Sequence, residues 1–337
     1  MRRRAWFDWH SWIGLNLSLL MTFVVLTGTL ATVSTELDWL ANPAVRASAA
    51  PDGALPAGTM LSAFARAYPD ADAVSMHFPS EGWLAPSVVG RDASGVRFRV
   101  FFDGDGRIQG TGAWNNWQRF FRETHRHLML PLNIGLTVVS LLSIPLLVTF
   151  VSSLYVYRRW WRGFFRVPRR PEIPAAASTP DRKARRRYWG DLHRLVGVWS
   201  LWFVLLMGVT GTWYLVEHLG LKARLPALER PASGLGEETR LLVSQPGMLD
   251  TLIAEARTLH PQLVIRSILP GSGDGAILIR GQADTVLVRD RANQVAFDGV
   301  TGALRDVRHG AELDALNRVS EAADPLHFGN FGGPSTR

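Results

Sequence analysis

Three stretches of the chain are apolar for long enough to cross a bilayer, which takes about 20 residues. They run from about Ser11 to Ser34, Leu128 to Tyr157 and Leu195 to Val216. The first is longer than the apolar core of a removed signal peptide and lacks its small-residue cleavage site, so the pattern predicts a retained span. Between the first and second stretches, residues 60–68 have helical periodicity and stop at Pro69, where a helix breaks. Short alternating runs near 73–78, 85–91 and 96–102 then predict strands, ending in the turn-forming Asp103-Gly104-Asp105-Gly106. After the third stretch the same order returns. Residues 248–259 form a helix stopped by Pro261, strand-like runs lie near 263–269, 276–280 and 285–289, and Phe297-Asp298-Gly299 with Gly302 makes the turn. The expected fold is a membrane α-helical bundle with two extracytoplasmic α+β modules, each a helix followed by a small antiparallel meander.

The apolar stretches carry a repeat. Asp8-Trp9-His10, Gly14 and Thr27-Gly28 recur at one constant offset as Asp191-Leu192-His193, Gly197 and Thr210-Gly211, the mark of a tandem repeat. A lone histidine at a membrane boundary is an ordinary interfacial polar residue. Two at equivalent depths of related helices are different, because ionisable groups at membrane depth are costly and mark sites. Neutral imidazole is an axial ligand of haem iron, so His10 and His193 are candidate haem ligands. His125 and His127 sit at the outer start of the second stretch, His218 at the outer end of the third and His327 near the C-terminus, while His77, His260 and His309 belong to the outer segments. On a straight helix His193 and His218 share one face about 37 Å apart. Residues two apart point to different helix faces, so one of His125 and His127 is expected to ligate. His125 is favoured, with His127 as a substitute or as a hydrogen-bond partner behind it. Gly14, Gly28, Gly197 and Gly211 are expected to let helices approach closely, or to leave room for a porphyrin face; Pro145 is expected to kink the second span.

The charge of +8 is unevenly placed. Arg2, Arg3 and Arg4 precede the first span, and eleven lysines and arginines lie between Arg158 and Arg187. Positive charge stays on the cytoplasmic side, which puts the N-terminus and that loop inside. Tryptophans at positions 6, 9, 12, 160, 161 and 189 fit interfacial belts. The arginine run lacks an aromatic-studded fold around it, which argues against nucleic acid; as a solvated loop it sets topology, and it can dock anionic lipid headgroups or an acidic reductase. The chain has no cysteine, which excludes disulfides and thiolate metal or iron–sulfur sites within it. Asp103 and Asp105 lack the remaining ligands of a calcium loop and read as a hairpin turn. No phosphate-binding glycine loop, serine nucleophile elbow or zinc helix is present, and the spans lack the acidic residues of a proton-coupled carrier. The organisation is therefore 1–36 for the N-terminus and first span, 37–124 for the first module and 125–158 for the second span. Residues 159–190 form the basic loop, 191–219 the third span, 220–324 the second module and 325–337 the start of a presumed fourth helix.

Together the His10–Gly28 and His193–Thr212 stretches, Thr124-His125-Arg126-His127-Leu128, Leu154-Tyr155-Val156-Tyr157-Arg158-Arg159-Trp160 and Leu326-His327-Phe328-Gly329 resemble the PepSY-associated transmembrane family, which includes haem-bearing bacterial ferric-siderophore reductases. Phe102-Asp103-Gly104 and Phe297-Asp298-Gly299 resemble its PepSY modules. The resemblance implies two b-type haems and outward electron transfer across the bacterial inner membrane, with both modules in the periplasm. His10 and His193 would hold the inner haem and His125 and His327 the outer one, with His127 and His218 as rivals for the outer pair. Electrons from a cytoplasmic reductase or the quinone pool would reduce a ferric siderophore or other ferric chelate. The repeat calls for a fourth span near His327, yet the sequence runs from Phe328 to Arg337 and stops, so a fourth helix is expected to be truncated or supplied separately. Two other readings are a PepSY sensor or regulator of an extracytoplasmic partner and a non-redox subunit that transports iron or its chelate.

Overall fold

A computed structural model describes residues 3–48, 56–168, 181–221, 223–225, 245, 247–271 and 275–330. The chain divides into two compact units, residues 1–26 with 126–221, and residues 27–125 with 222–337. Arg2, Arg169, Arg170 and residues 331–337 lie outside the described residues.

Helix α1 spans Arg3–Thr32; a short α2, Ser34–Ala41, follows after Val33. The second apolar helix is α5 and α6, Leu132–Leu141 and Ser143–Val156, with a break at Leu142 three residues before Pro145. It begins at Leu132, later than the sequence suggests, because residues 117–127 form a helix of their own and a turn precedes Pro131. In that turn Leu128 and Met129 both take left-handed φ of 57°.

The third apolar stretch is not straight. Helices α7, Arg182–Trp199, and α8, Leu201–His218, meet at 59°. Ser200 donates its hydroxyl to the Val196 carbonyl at 2.8 Å, a back-bond that bends helices. Trp199 Nε1 donates to the Phe164 carbonyl at 2.8 Å and ties the corner down. Among the described residues, two helices are thus long and apolar enough to cross a membrane, and three if the bent pair counts as one span. Within this helical unit α8 packs on α5 and α6. Added methyls at Gly208 and Gly211 would meet Leu147 and Ser143, as expected where small residues bring helices together.

The other unit is built on one sheet. Helix α3, Ala57–Ala67, leads to β1, Asp72–His77, β2, Ser87–Arg91, β3, Arg97–Phe102, and β4, Ile108–Ala113. Helix α4, Trp117–His127, ends this half. Helix α9, Met248–Leu259, leads to β5, Val264–Leu269, β6, Ala276–Gln282, β7, Asn293–Asp298, and β8, Leu304–Arg308, before helix α10, Ala315–Phe328. The two meanders do not stand apart. They join edge to edge through β1 and β5, pairing Met76 with Ile268 and His77 with Ser267. The antiparallel order is β4-β3-β2-β1-β5-β6-β7-β8.

Alternation decides the buried face. Met76, Val88, Val100, Phe102, Ile268, Ile277, Ile279, Val295 and Phe297 point to one side, where Met60, Leu61 and Phe64 of α3 and Leu249, Leu252 and Ile253 of α9 cover them. The helices of both halves therefore share a core. Both aspartate turns close hairpins: Asp103 Oδ1 accepts from the Asp105 and Arg107 amides, and Asp298 Oδ1 from the Val300 and Thr301 amides. This hydrogen bonding suits an Asx turn. The strand expected at 285–289 is absent. Leu287 there has φ of 57°, which a strand does not tolerate, and Arg289 is drawn to α10.

Candidate functional site

Six of the nine histidines fall into three pairs. In the helical unit His10 of α1 and His193 of α7 lie with ring centroids 6.2 Å apart and planes at 69°. His10 Nδ1 is 3.0 Å from Ser152 Oγ, and that hydroxyl donates to the Thr149 carbonyl. A fully buried serine in an apolar helix thus fixes the His10 ring. Its polarity inside the second apolar stretch is the only sequence signal for it. His193 lies between Asp191 and Arg194, which pair at 2.6 Å, on the exposed side of α7.

The sheet unit holds a second pair. His125 of α4 and His327 of α10 have ring centroids 6.1 Å apart, tilted by 40°. His327 is in the last turn of α10, which stops at Gly329 in the left-handed conformation. It therefore lies at the end of a helix of the sheet unit; Gly is favoured at such a terminus because it lacks a Cβ. His125 and His127 likewise lie at the end of α4 and not at the start of the second apolar helix. His127 Nδ1 meets the Leu130 carbonyl at 2.9 Å within the following turn. His218, at the end of α8, meets Thr137 Oγ1 at 2.9 Å. The bend between α7 and α8 removes the straight-helix relation between His193 and His218.

The glycines of the repeat have diverged. A Cβ on Gly28 would come within 2.9 Å of the His125 ring, so this position is kept bare for the imidazole. Gly14 and Gly197 each lie one turn beyond a paired histidine, and nothing lies within 4 Å of where their Cβ would be. They do not serve helix packing. They leave flat, open ground beside His10 and His193.

No three or more His, Cys, Asp or Glu side chains among the described residues are grouped to hold a metal ion. A cage made from protein alone is thus not formed by the paired histidines. Each pair brings two imidazoles together.

A third pair is of another kind. His260 and His309 have centroids 4.2 Å apart, too close for a metal between facing nitrogens. His260 is 2% exposed and its Nε2 has no hydrogen-bond partner among the described residues. Burial, and then the neighbouring His309, hold its pKa below the ordinary imidazole value, against the opposing pull of Asn293 and Asp284. The unfolded chain takes up a proton near pH 6.5, whereas the folded chain resists it. Stability is therefore complete above about pH 6.5 and falls as pH drops towards the folded-state pKa, by up to about 1.4 kcal/mol per pH unit. Chemical denaturation of the purified protein between pH 7 and pH 5 is expected to show a slope of this sign, and His260→Asn to reduce it, with the buried His77 and His327 contributing the remainder.

The sequence profile described as the PepSY-associated TM region matches residues 7–337, nearly the whole chain. The chain belongs to this family. An uncharacterised protein of Pseudomonas aeruginosa is 26% identical over 215 residues, covering 58% of this chain and 50% of that relative. The chain thus matches about half the length of the curated relative. As a PepSY-associated membrane protein it combines apolar helices with an antiparallel sheet unit, and both histidine pairs fall inside the matched region.

Proposed function

We propose that this PepSY-associated protein is a di-haem electron-transfer protein of the bacterial inner membrane that reduces a ferric siderophore or other ferric chelate in the periplasm. The observation that carries the reading is the spacing of the histidine pairs, 6.2 and 6.1 Å between ring centroids. Two metal–imidazole bonds of about 2.0 Å, plus ~1.1 Å from each nitrogen to its ring centre, span roughly 6 Å. Each pair would thus be spaced to hold one iron between its two imidazoles. Haem bound there would supply one-electron chemistry between ferric and ferrous iron.

The chain's own residues set the conditions. Ser152 orients the His10 ring through its hydroxyl, as outer hydrogen bonds orient metal-ligating histidines. Gly28 leaves His125 its place, and Gly14 and Gly197 leave a flat wall without side chains beside the other pair. The arginine distribution supports a cytoplasmic N-terminus, which sets the sheet unit in the periplasm and His10 with His193 towards the cytoplasm. Reduction to Fe(II) weakens a hard-oxygen chelate, so the iron is released.

The test is an absorption spectrum of protein purified in detergent from haem-replete cells. A Soret band with dithionite-induced α and β bands is expected, with about half the intensity lost in His10→Ala or His193→Ala. A colourless protein would sink the reading. Reoxidation of the reduced protein should be faster with ferric chelates than in buffer; equal rates would remove the reductase assignment while leaving haem in place.

A further inference from the structure

Strand β3 alternates between two chemistries. Phe98, Val100 and Phe102 join the helix-covered core, whereas Arg97 and Arg99 point to the other face. Cross-strand pairing sets Arg91 directly beside Arg97, and Val89 and Gly112 beside Arg99. Asp38 favours the charged form of Arg99, while Arg122 and Arg119, which come to the same place from α4, oppose it. Like charges set opposite one another in a sheet are destabilising. Such crowding in a folded domain calls for a counter-charge.

The local carboxylates are already engaged. Asp38 accepts from the Trp117 and Gln118 amides at 2.8 and 3.2 Å and so caps α4. Glu123 is paired with Arg119 at 2.8 Å. Burial, the largest influence, lowers the pKa of Arg99, and its Nε is buried with no hydrogen-bond partner among the described residues. A buried donor left unpaired is expensive and rare.

One indole organises the cluster. The guanidinium carbons of Arg119, Arg97 and Arg99 lie 4.1, 5.2 and 5.6 Å from the centre of the Trp114 ring. Cation–π contact holds guanidinium groups while leaving N–H edges available to donate, chiefly those of Arg97 and Arg99, since Arg119 also pairs with Glu123. Those edges match carboxylate geometry through two parallel hydrogen bonds. All three arginines and Trp114 are half-buried, accessible to a small molecule.

We propose that Arg97, Arg99 and Arg119, gathered around Trp114, form a binding site for a small polycarboxylate, free or as its iron(III) chelate. The site follows from the arginines and the indole and does not rest on the haem reading. Should that reading hold, the chelate would dock beside the helix that carries His125, since Arg119 precedes His125 by six residues or about 9 Å of helix rise. Carboxylates also occur on haem as propionates, and the two sources separate by experiment.

The test uses the full-length purified protein, with citrate and ferric citrate titrated by calorimetry and by tryptophan fluorescence. Both are expected to bind, more weakly as salt rises. Arg99→Gln should weaken binding by about 10-fold or more, the loss of a charge-assisted hydrogen bond. Arg99→Lys, which keeps the charge without the fork, should fall between. Arg257→Gln, an exposed change on α9, should bind as the parent does and so controls for net charge. Arg97→Gln gives a second reading should Arg99→Gln fail to fold by circular dichroism. No citrate binding by the parent, or equal binding by Arg99→Gln and Arg97→Gln, would overturn the site. A fall in haem content in Arg99→Gln with unchanged citrate affinity would also overturn it, by assigning the guanidinium to a propionate. Because calorimetry needs no electron transfer, a failure of reductase activity leaves this outcome legible.

Discussion

If the protein holds two haems as proposed, replacing His327 with alanine is expected to lower the haem-to-protein ratio from about two to about one, the remaining haem being held by His10 and His193. The expectation follows from the 6.1 Å approach of His327 to His125, which alanine abolishes. His125→Ala should act in the same way. His218→Ala should keep both haems, because His218 is engaged with Thr137 at the end of α8. A pyridine haemochrome assay on the three purified variants measures the ratio directly. Full haem in His327→Ala together with loss in His218→Ala would reassign the second site to the rival histidine.

The largest effect on stability is expected at Glu321. This carboxylate on α10 is 1% exposed and pairs with Arg289 Nε at 3.0 Å and with Arg291 at 2.9 Å. It also receives the Arg289 amide at 3.3 Å. Removing one partner of a buried ion network leaves the others uncompensated and costs about 3–5 kcal/mol. For a unit of this size that corresponds to a fall of roughly 6–20 °C in melting temperature. Glu321→Ala is expected to show this fall in a thermal melt. Glu321→Gln, which still accepts hydrogen bonds, should lose less. The same network seats the helix that ends in His327, so Glu321→Ala should also deplete the haem that depends on His125 and His327. A melting point within 2 °C of the parent would show that the network contributes little.

Some of this was legible in the sequence, for physical reasons. Apolar runs of membrane length, and helices ended by Pro69 and Pro261, carry strong local signals. Asp-Gly turns do as well, and both sit where the hairpins need them. Strand β4 was hidden because Ile108-Gln109-Gly110-Thr111-Gly112-Ala113 is rich in glycine and polar residues, poor strand formers chosen here by pairing with β3. Thr285-Val286-Leu287-Val288-Arg289 looks like a strand, but its conformation is decided by the ion network on α10, a tertiary effect. Long-range relations left least trace. Nothing local reveals that β1 meets β5, or that a serine in the second apolar helix holds His10. The approach of His125 to His327 was accessible only through family resemblance, since the two are about 200 residues apart and obey no common period.

The seam between β1 and β5 also has a consequence for biosynthesis. β1 lies at the centre of the finished sheet, yet its partner emerges roughly 190 residues later. At about 5–20 residues per second, that edge waits on the order of 10–40 s while two apolar helices and the basic loop are made. An unpaired strand edge is a template for wrong partners. The nascent first half therefore carries an unpaired strand edge until residues 264–269 arrive to close it.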